Sequence, residues 1–271
     1  MPGKPKQSTV NNEQNIRKIV QEELAEELEE KRAIQQYEGN DVNVVIPSGN
    51  IGSATNNFFD LLPPITQVAN SRADTGAPGG AYGFRIGDEI NLKKVKIRGM
   101  VYMTDLTSAQ QENTRVGVRV MILKQKDKDS YAGFRADAHT NRLLLDTVGA
   151  SGYQGPGQFN GSPLDLRRDI NRNEFAVRYD KTFYLSRDFI SGTSNTNKFA
   201  TSSRDSLKFF EHDLTFGNGK KLTFTDGASD TPNNFPYLLV VGPAGMVDPT
   251  TSITNGLVKL SVSSTAIYTD A

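Results

Sequence analysis

The 271-residue chain has no cysteine, no tryptophan and only two histidines. Without cysteine there is no disulfide framework, no thiol nucleophile, no thiolate-bound zinc and no iron–sulfur cluster. His139, in the loop sequence RADAHTN, and His212, in FFEHDL, leave little for base catalysis or a histidine-rich metal site. No run approaches the ~18 apolar residues of a membrane span, and the first thirty residues lack the apolar stretch of a signal peptide. The chain is therefore expected to be soluble and intracellular, with no membrane partner. Charge of either sign is also missing in bulk, because 31 Lys and Arg balance 31 Asp and Glu. A strong phosphate binder carries a basic surplus, so any nucleic-acid role must be local.

What is present divides near Gly39. Residues 1–38 hold eight Glu against six Lys and Arg and are expected to form an acidic amphipathic helix or arm; residues 39–271 form the main domain. Asn11 can cap a helix with Gln14 at its third position, and Ile16, Val20, Leu24 and Leu28 then recur every four residues. The row is narrow and the opposite face Glu-rich, so the helix is marginal alone. It is either a solvated, frayed terminus or a partner helix that docks this row on its own domain or on a neighbouring copy.

Beyond Gly39 the signals are those of strands. INLKKVKIRGMVYMT (90–104) sets Val95 and Ile97 opposite Lys94, Lys96 and Arg98. RVGVRVMILKQ (115–125) sets Val116, Val118, Val120 and Ile122 opposite Arg115, Gly117 and Arg119. Further strands are expected at 42–46, 174–186, 206–216, 220–225, 235–242 and 257–269. The connections 49–57, 70–83, 131–142, 149–162, 192–203 and 242–255 are long and rich in Gly, Ser, Asn, Thr and Pro. Helical periodicity is nearly absent between the strands, apart from a turn at 141–146, which disfavours a parallel βαβ sheet. The expected fold class is all-β: an eight-stranded antiparallel jelly-roll sandwich with long loops and an N-terminal α-helical extension.

Catalytic signatures fail one by one. Gly155-Pro156-Gly157 and Gly217-Asn218-Gly219-Lys220-Lys221 lack the spacing of phosphate-cradling loops and read as turns. There is no Gly-x-Ser-x-Gly elbow, and Asp127 with Asp129 lacks the bidentate glutamate of a calcium loop. No catalytic residue, metal or cofactor is expected. Basic residues do cluster, at Lys93, Lys94, Lys96 and Arg98, at Arg115 and Arg119, and at Arg167, Arg168 and Arg172. They are either ordinary solvent faces balanced by nearby acids or a shallow, sequence-blind phosphate surface.

Six segments taken in order resemble the jelly-roll capsid proteins of small circular Rep-encoding single-stranded DNA viruses, with geminivirus coat proteins the nearest well-known pattern. They are GDEINLKKVKIRGMVYMTD (87–105), VGVRVMILKQKD (116–127), RRDINRNEFAVRYDKTFYLS (167–186), LKFFEHDLTFGNGKKLTFTD (207–226), FPYLLVVG (235–242) and VKLSVSSTAIYTDA (258–271). The resemblance implies a structural protein without an active site. Many identical copies would close into an icosahedral shell around a single-stranded circular DNA genome, and the virion would assemble inside the host cell, with the nucleus as a candidate compartment. The family's basic N-terminal arm is missing here, since Lys4 and Lys6 are followed by the Glu-rich helix. DNA contact is therefore expected from Lys94, Lys96, Arg98, Arg167 and Arg168, independent of sequence, with mobile cations neutralising most phosphates. Ile16, Val20, Leu24 and Leu28 are the expected interface row. The competing classes are a carbohydrate-binding jelly roll, which needs grouped aromatics, and a glycan-cleaving enzyme, which needs two carboxylates at catalytic separation.

Overall fold

In the computed structural model the described residues are 16, 30–42, 57–67, 84–104, 115–127, 144–148, 154–157, 159–186, 205–245 and 257–271. Their strands are β1 (Lys31–Val42), β2 (Phe58–Asp60), β3 (Glu89–Met103), β4 (Arg115–Gln125), β5 (Leu145–Val148), β6 (Gln154–Gly157), β7 (Phe175–Ser186), β8 (Leu207–Thr223), β9 (Tyr237–Gly245) and β10 (Val258–Asp270). A 3-10 turn, Pro163–Leu166, lies between β6 and β7. Two four-stranded sheets have the orders β1-β10-β3-β8 and β2-β9-β4-β7, and β5 with β6 forms a separate two-stranded ribbon. Every strand pairing is antiparallel. One apolar cluster draws Val95, Ile97 and Leu260 from the first sheet and Val118, Val120 and Leu239 from the second, so the sheets face each other as in a β-sandwich. No helix among the described residues is long and apolar enough to cross a membrane.

Period-two patterning places the core in the first sheet. In β3, Ile90, Leu92, Val95, Ile97, Val101 and Met103 are buried, and in β10 Val258, Leu260, Val262 and Ala266 are. The second sheet departs from the expectation of one solvated face, because β4 is buried on both. Met121 and Leu123 join Leu144, Phe159, Leu166 and Ile170 in a second apolar cluster, where residues from the β4–β7 connection cover the sheet's outer side. Two glycines let that cover approach. A Cβ at Gly242 would stand 2.6 Å from the Phe159 ring, and one at Gly117 would overlap Leu166.

Three boundaries need correction. Residues 31–38, expected on the helical side of a break at Gly39, belong to β1, which runs through Gly39 to Val42. Gly39 is a bulge, with φ +59° and a register shift between Tyr37 and Asn40, inside a strand that continues across the expected boundary. The expected helix is not seen as an element. Of its row, Ile16 is helical and 60% exposed, while Val20, Leu24 and Leu28 lie outside the described residues. The expected strands at 206–216 and 220–225 are one strand, β8. Gly217 and Gly219 take positive φ in a bulge where the partner of Leu92 is Lys220 and that of Lys94 is Thr215, so the glycines shift register without reversing the chain.

Asp60, at the end of β2, is pushed up to about 6 chiefly by burial, against hydrogen bonds from the Leu62 and Leu61 amides and with added repulsion from Asp230. Its folded-state value lies above the ordinary 3.8, so the folded protein holds this proton more tightly than the unfolded chain. That contribution to stability is present below pH 4 and fades as pH rises through 6. Asp60→Asn keeps the acceptor for the Leu62 N–H, which lies 3.1 Å from Oδ1. It should raise stability at pH 7.5 by about 1–2 kcal/mol and flatten the pH 4–6 slope in denaturant titrations. An unchanged slope would show that Asp60 titrates normally.

Candidate nucleic-acid interface

The alternation that buries Val95 and Ile97 turns Lys94, Lys96 and Arg98 outward on β3, as expected. What the sequence does not display is their neighbour, β8, whose register sets Asp213 opposite Lys96 and Glu211 opposite Arg98. Asp213 bridges the two flanking cations, with Lys94 Nζ donating at 3.0 Å and Arg98 NH1 at 2.8 Å. The Lys94 ammonium, then the Arg98 guanidinium, hold the Asp213 carboxyl below the usual carboxylate range. Arg98 Nε also lies 3.3 Å from Glu211. Lys96 is left as the cation of this stripe with no carboxylate within ion-pair distance among the described residues.

Arg167 and Arg168 lie elsewhere, at the 3-10 turn that covers the outer side of the second sheet, so the five expected contacts are split between opposite layers of the sandwich. They also differ in role. Arg168 is tied to Asp165, NH1 to Oδ1 at 2.7 Å. Asp165 is itself buried and takes the Asn160 amide at 2.8 Å, so burial pushes its carboxyl up while these partners oppose. Arg119, 4% exposed, is a structural clamp as well. Its Nε and NH2 grip Asp180 at 2.8 and 2.7 Å, and its NH1 donates to the Asp165 and Arg168 carbonyls, each at 2.7 Å.

Arg167, by contrast, is exposed. It donates to the Tyr184 hydroxyl at 2.9 Å, and its guanidinium lies 5.9 Å from the Tyr184 ring centre. Arg115 lies 5.7 Å from the same ring. Two exposed guanidinium groups thus flank one tyrosine, with no carboxylate in ion-pair distance of either among the described residues. Arginines held on an aromatic ring are pre-positioned for an anion or a base. Sequence alone did not single out this trio, because Arg115 and Arg167 are 52 positions apart and Tyr184 lies 17 residues beyond Arg167, within β7.

The other chemical candidates resolve into structure. His212 points between the layers, its ring 5.4 Å from that of Tyr179, and burial pushes its pKa down. His139 and Asp129 lie outside the described residues, and no cluster of three metal-ligating side chains occurs among the described ones. A depression of about 550 Å³ is lined by Arg98, Met100, Phe209, Glu211, Ser261 and Ser263, among others. Its lining includes one carboxylate, where glycosidic hydrolysis takes two. No protein-family model and no curated protein sequence matches the chain.

Proposed function

We propose that the chain is a self-assembling capsid protein, a jelly roll whose copies close into an icosahedral shell around single-stranded DNA. The observation that carries this reading is the pairing of strands from opposite ends of the chain: β1 with β10, β2 with β9, β3 with β8 and β4 with β7. A single long antiparallel ribbon, folded at the β4–β7 connection and wrapped on itself, produces that nesting. Spread over two four-stranded sheets, that nesting supports reading the sandwich as the jelly-roll plan that viral shells and lectins use. The lectin alternative draws less support, because Phe209 is the one exposed aromatic ring among the described residues. Assembly is the direct test. Light scattering and negative-stain microscopy of the purified chain should give closed particles of uniform size, and a stable monomer at every concentration defeats the proposal.

DNA contact is assigned to the exposed cations with no carboxylate in ion-pair distance among the described residues, foremost Arg167 and, beside it, Arg115, whose charge also acts on Asp205 from further away. Arg115→Gln with Arg167→Gln should reduce retained DNA and lower the salt slope by about 1.4, at ~0.7 for each of the two phosphate contacts. Lys94→Gln with Arg98→Gln should change retention less, since Asp213 already engages both. Retention that ignores salt would refute an electrostatic mechanism.

A further inference from the structure

Strand edges carry a cost that proteins usually manage. An edge strand presents unpaired N–H and C=O groups, and short strands, charge and bulges blunt it. The second sheet follows this rule, with a three-residue edge in β2 and exposed Arg178, Asp180 and Lys181 on β7. Among the described residues the first sheet keeps two long edges, bulged at Gly39 in β1 and at Gly217 and Gly219 in β8. Its register is unbroken from Lys31 to Tyr37 in β1 and from Leu207 to Thr215 in β8. Ile34, 67% exposed, and Phe209, 72% exposed, are the two strongly exposed large apolar side chains that described strands carry. They sit on opposite edges of this one sheet and on its same outer face.

Direction and charge fit these edges to each other. The sheet has four strands, all antiparallel, so β1 and β8 run in opposite directions. Simple head-to-tail repetition therefore sets β8 of one copy antiparallel to β1 of the next. In the register that brings Ile34 opposite Phe209, Arg32 falls opposite Glu211, an exposed cation facing an exposed carboxylate. We infer that the β8 edge of one copy pairs with the β1 edge of a second copy, a heterologous contact that extends the first sheet from subunit to subunit. The inference rests on the shell reading and names the surfaces that join its copies.

The cysteine-free sequence gives a clean test. Within one molecule residue 34 is level with Asp213 across the sheet, so residue 209 lies three strand spacings away and four residues further along, roughly 20 Å in all and well beyond disulfide reach. Across the proposed contact they are directly opposed. Mild oxidation of the Ile34→Cys/Phe209→Cys variant, purified as assembled protein, should yield a ladder of dimers, trimers and higher species on a non-reducing gel. Either single variant should stop at the dimer. In parallel, Arg32→Glu and Glu211→Arg should each weaken association at least tenfold, and the double reversal should recover most of it. Each variant's melting temperature reports whether the fold is intact, and both charge positions are exposed. Particles that form without a ladder, or a double reversal no better than the singles, overturn the edge contact and leave the shell standing. A ladder from open filaments supports the contact and overturns the closed shell. A chain that stays monomeric and gives no ladder overturns both.

Discussion

Arg85→Met should cost about 3–5 kcal/mol and lower the melting temperature by roughly 10 °C. Arg85 is wholly buried. Its Nε donates to the Ile65 carbonyl at 3.4 Å, and its NH2 donates to the Asp226 and Ser229 carbonyls at 2.6 and 2.9 Å. NH1 reaches the Gly87 carbonyl and Asp88 Oδ1. The guanidinium carbon lies 4.1 Å from the centre of the Phe224 ring. One side chain thus joins the β2–β3 connection to the β8–β9 connection at one end of the sandwich. Methionine fills the volume but removes the donor to the Ile65, Gly87 and Ser229 carbonyls, while the Asp226 carbonyl keeps the Ser229 N–H at 3.2 Å and the exposed Asp88 carboxylate can rehydrate; each buried acceptor left unpaired costs about 1–3 kcal/mol. Lysine retains the charge with a single point of donation, so Arg85→Lys should recover less than half of the loss. Thermal unfolding followed by circular dichroism measures both, and a drop of only 2–3 °C for Arg85→Met would show that water replaces the guanidinium.

Nothing in the sequence around Arg85 announces this role, and the reason is physical. Strand patterns are local, and the alternation of Lys94, Lys96 and Arg98 with Val95 and Ile97 is legible because the period of two is a property of one segment. The partners of Arg85 come from positions 65, 87, 88, 226 and 229, which only the fold brings together. The candidate site shows the same limit. Residue type and spacing exposed the basic stripe on β3, but the cross-strand register that lets Asp213 neutralise Lys94 and Arg98 is not written in either strand alone.

The boundaries missed near Gly39 and Gly217 have a different cause. Glycine with positive φ serves a tight turn and a bulge equally well, so both positions read as interruptions of the pattern. In β1 the local evidence was also divided. The Glu-rich segment before it favours a helix, whereas Ala33 and Tyr37 turning inward and Ile34 and Gln36 outward is a strand pattern seven residues long. Packing against β10 decides between them, since the pairing Ala33↔Ala266 and Tyr37↔Val262 buries that inward row on the main core.

The second large effect is expected at Arg119, where burial of both faces of β4 was least legible. An arginine in the middle of a strand reads as a solvent position, yet here it is the bolt that holds the β4–β7 connection on the second sheet. Arg119→Met removes the two-point grip on Asp180 and strands the Asp165 and Arg168 carbonyls. The expected cost is about 2–4 kcal/mol, because Asp180 is partly exposed and can rehydrate while the two carbonyls are less free to do so. The effect should also be spatially uneven. Amides tying the cover together, Asp146 N–H to the Asp169 carbonyl and Asn171 N–H to the Leu144 carbonyl, both near 3 Å, should exchange with solvent many-fold faster. Amides of β3 and β10, in the other sheet, should slow or quicken only with global stability. Native-state hydrogen exchange resolved by peptide separates the two behaviours. Uniform acceleration across both sheets would mean that Arg119 supports the whole sandwich, and protection unchanged at 159–171 would mean that Phe159 and Leu166, seated over Gly242 and Gly117, hold the cover without it.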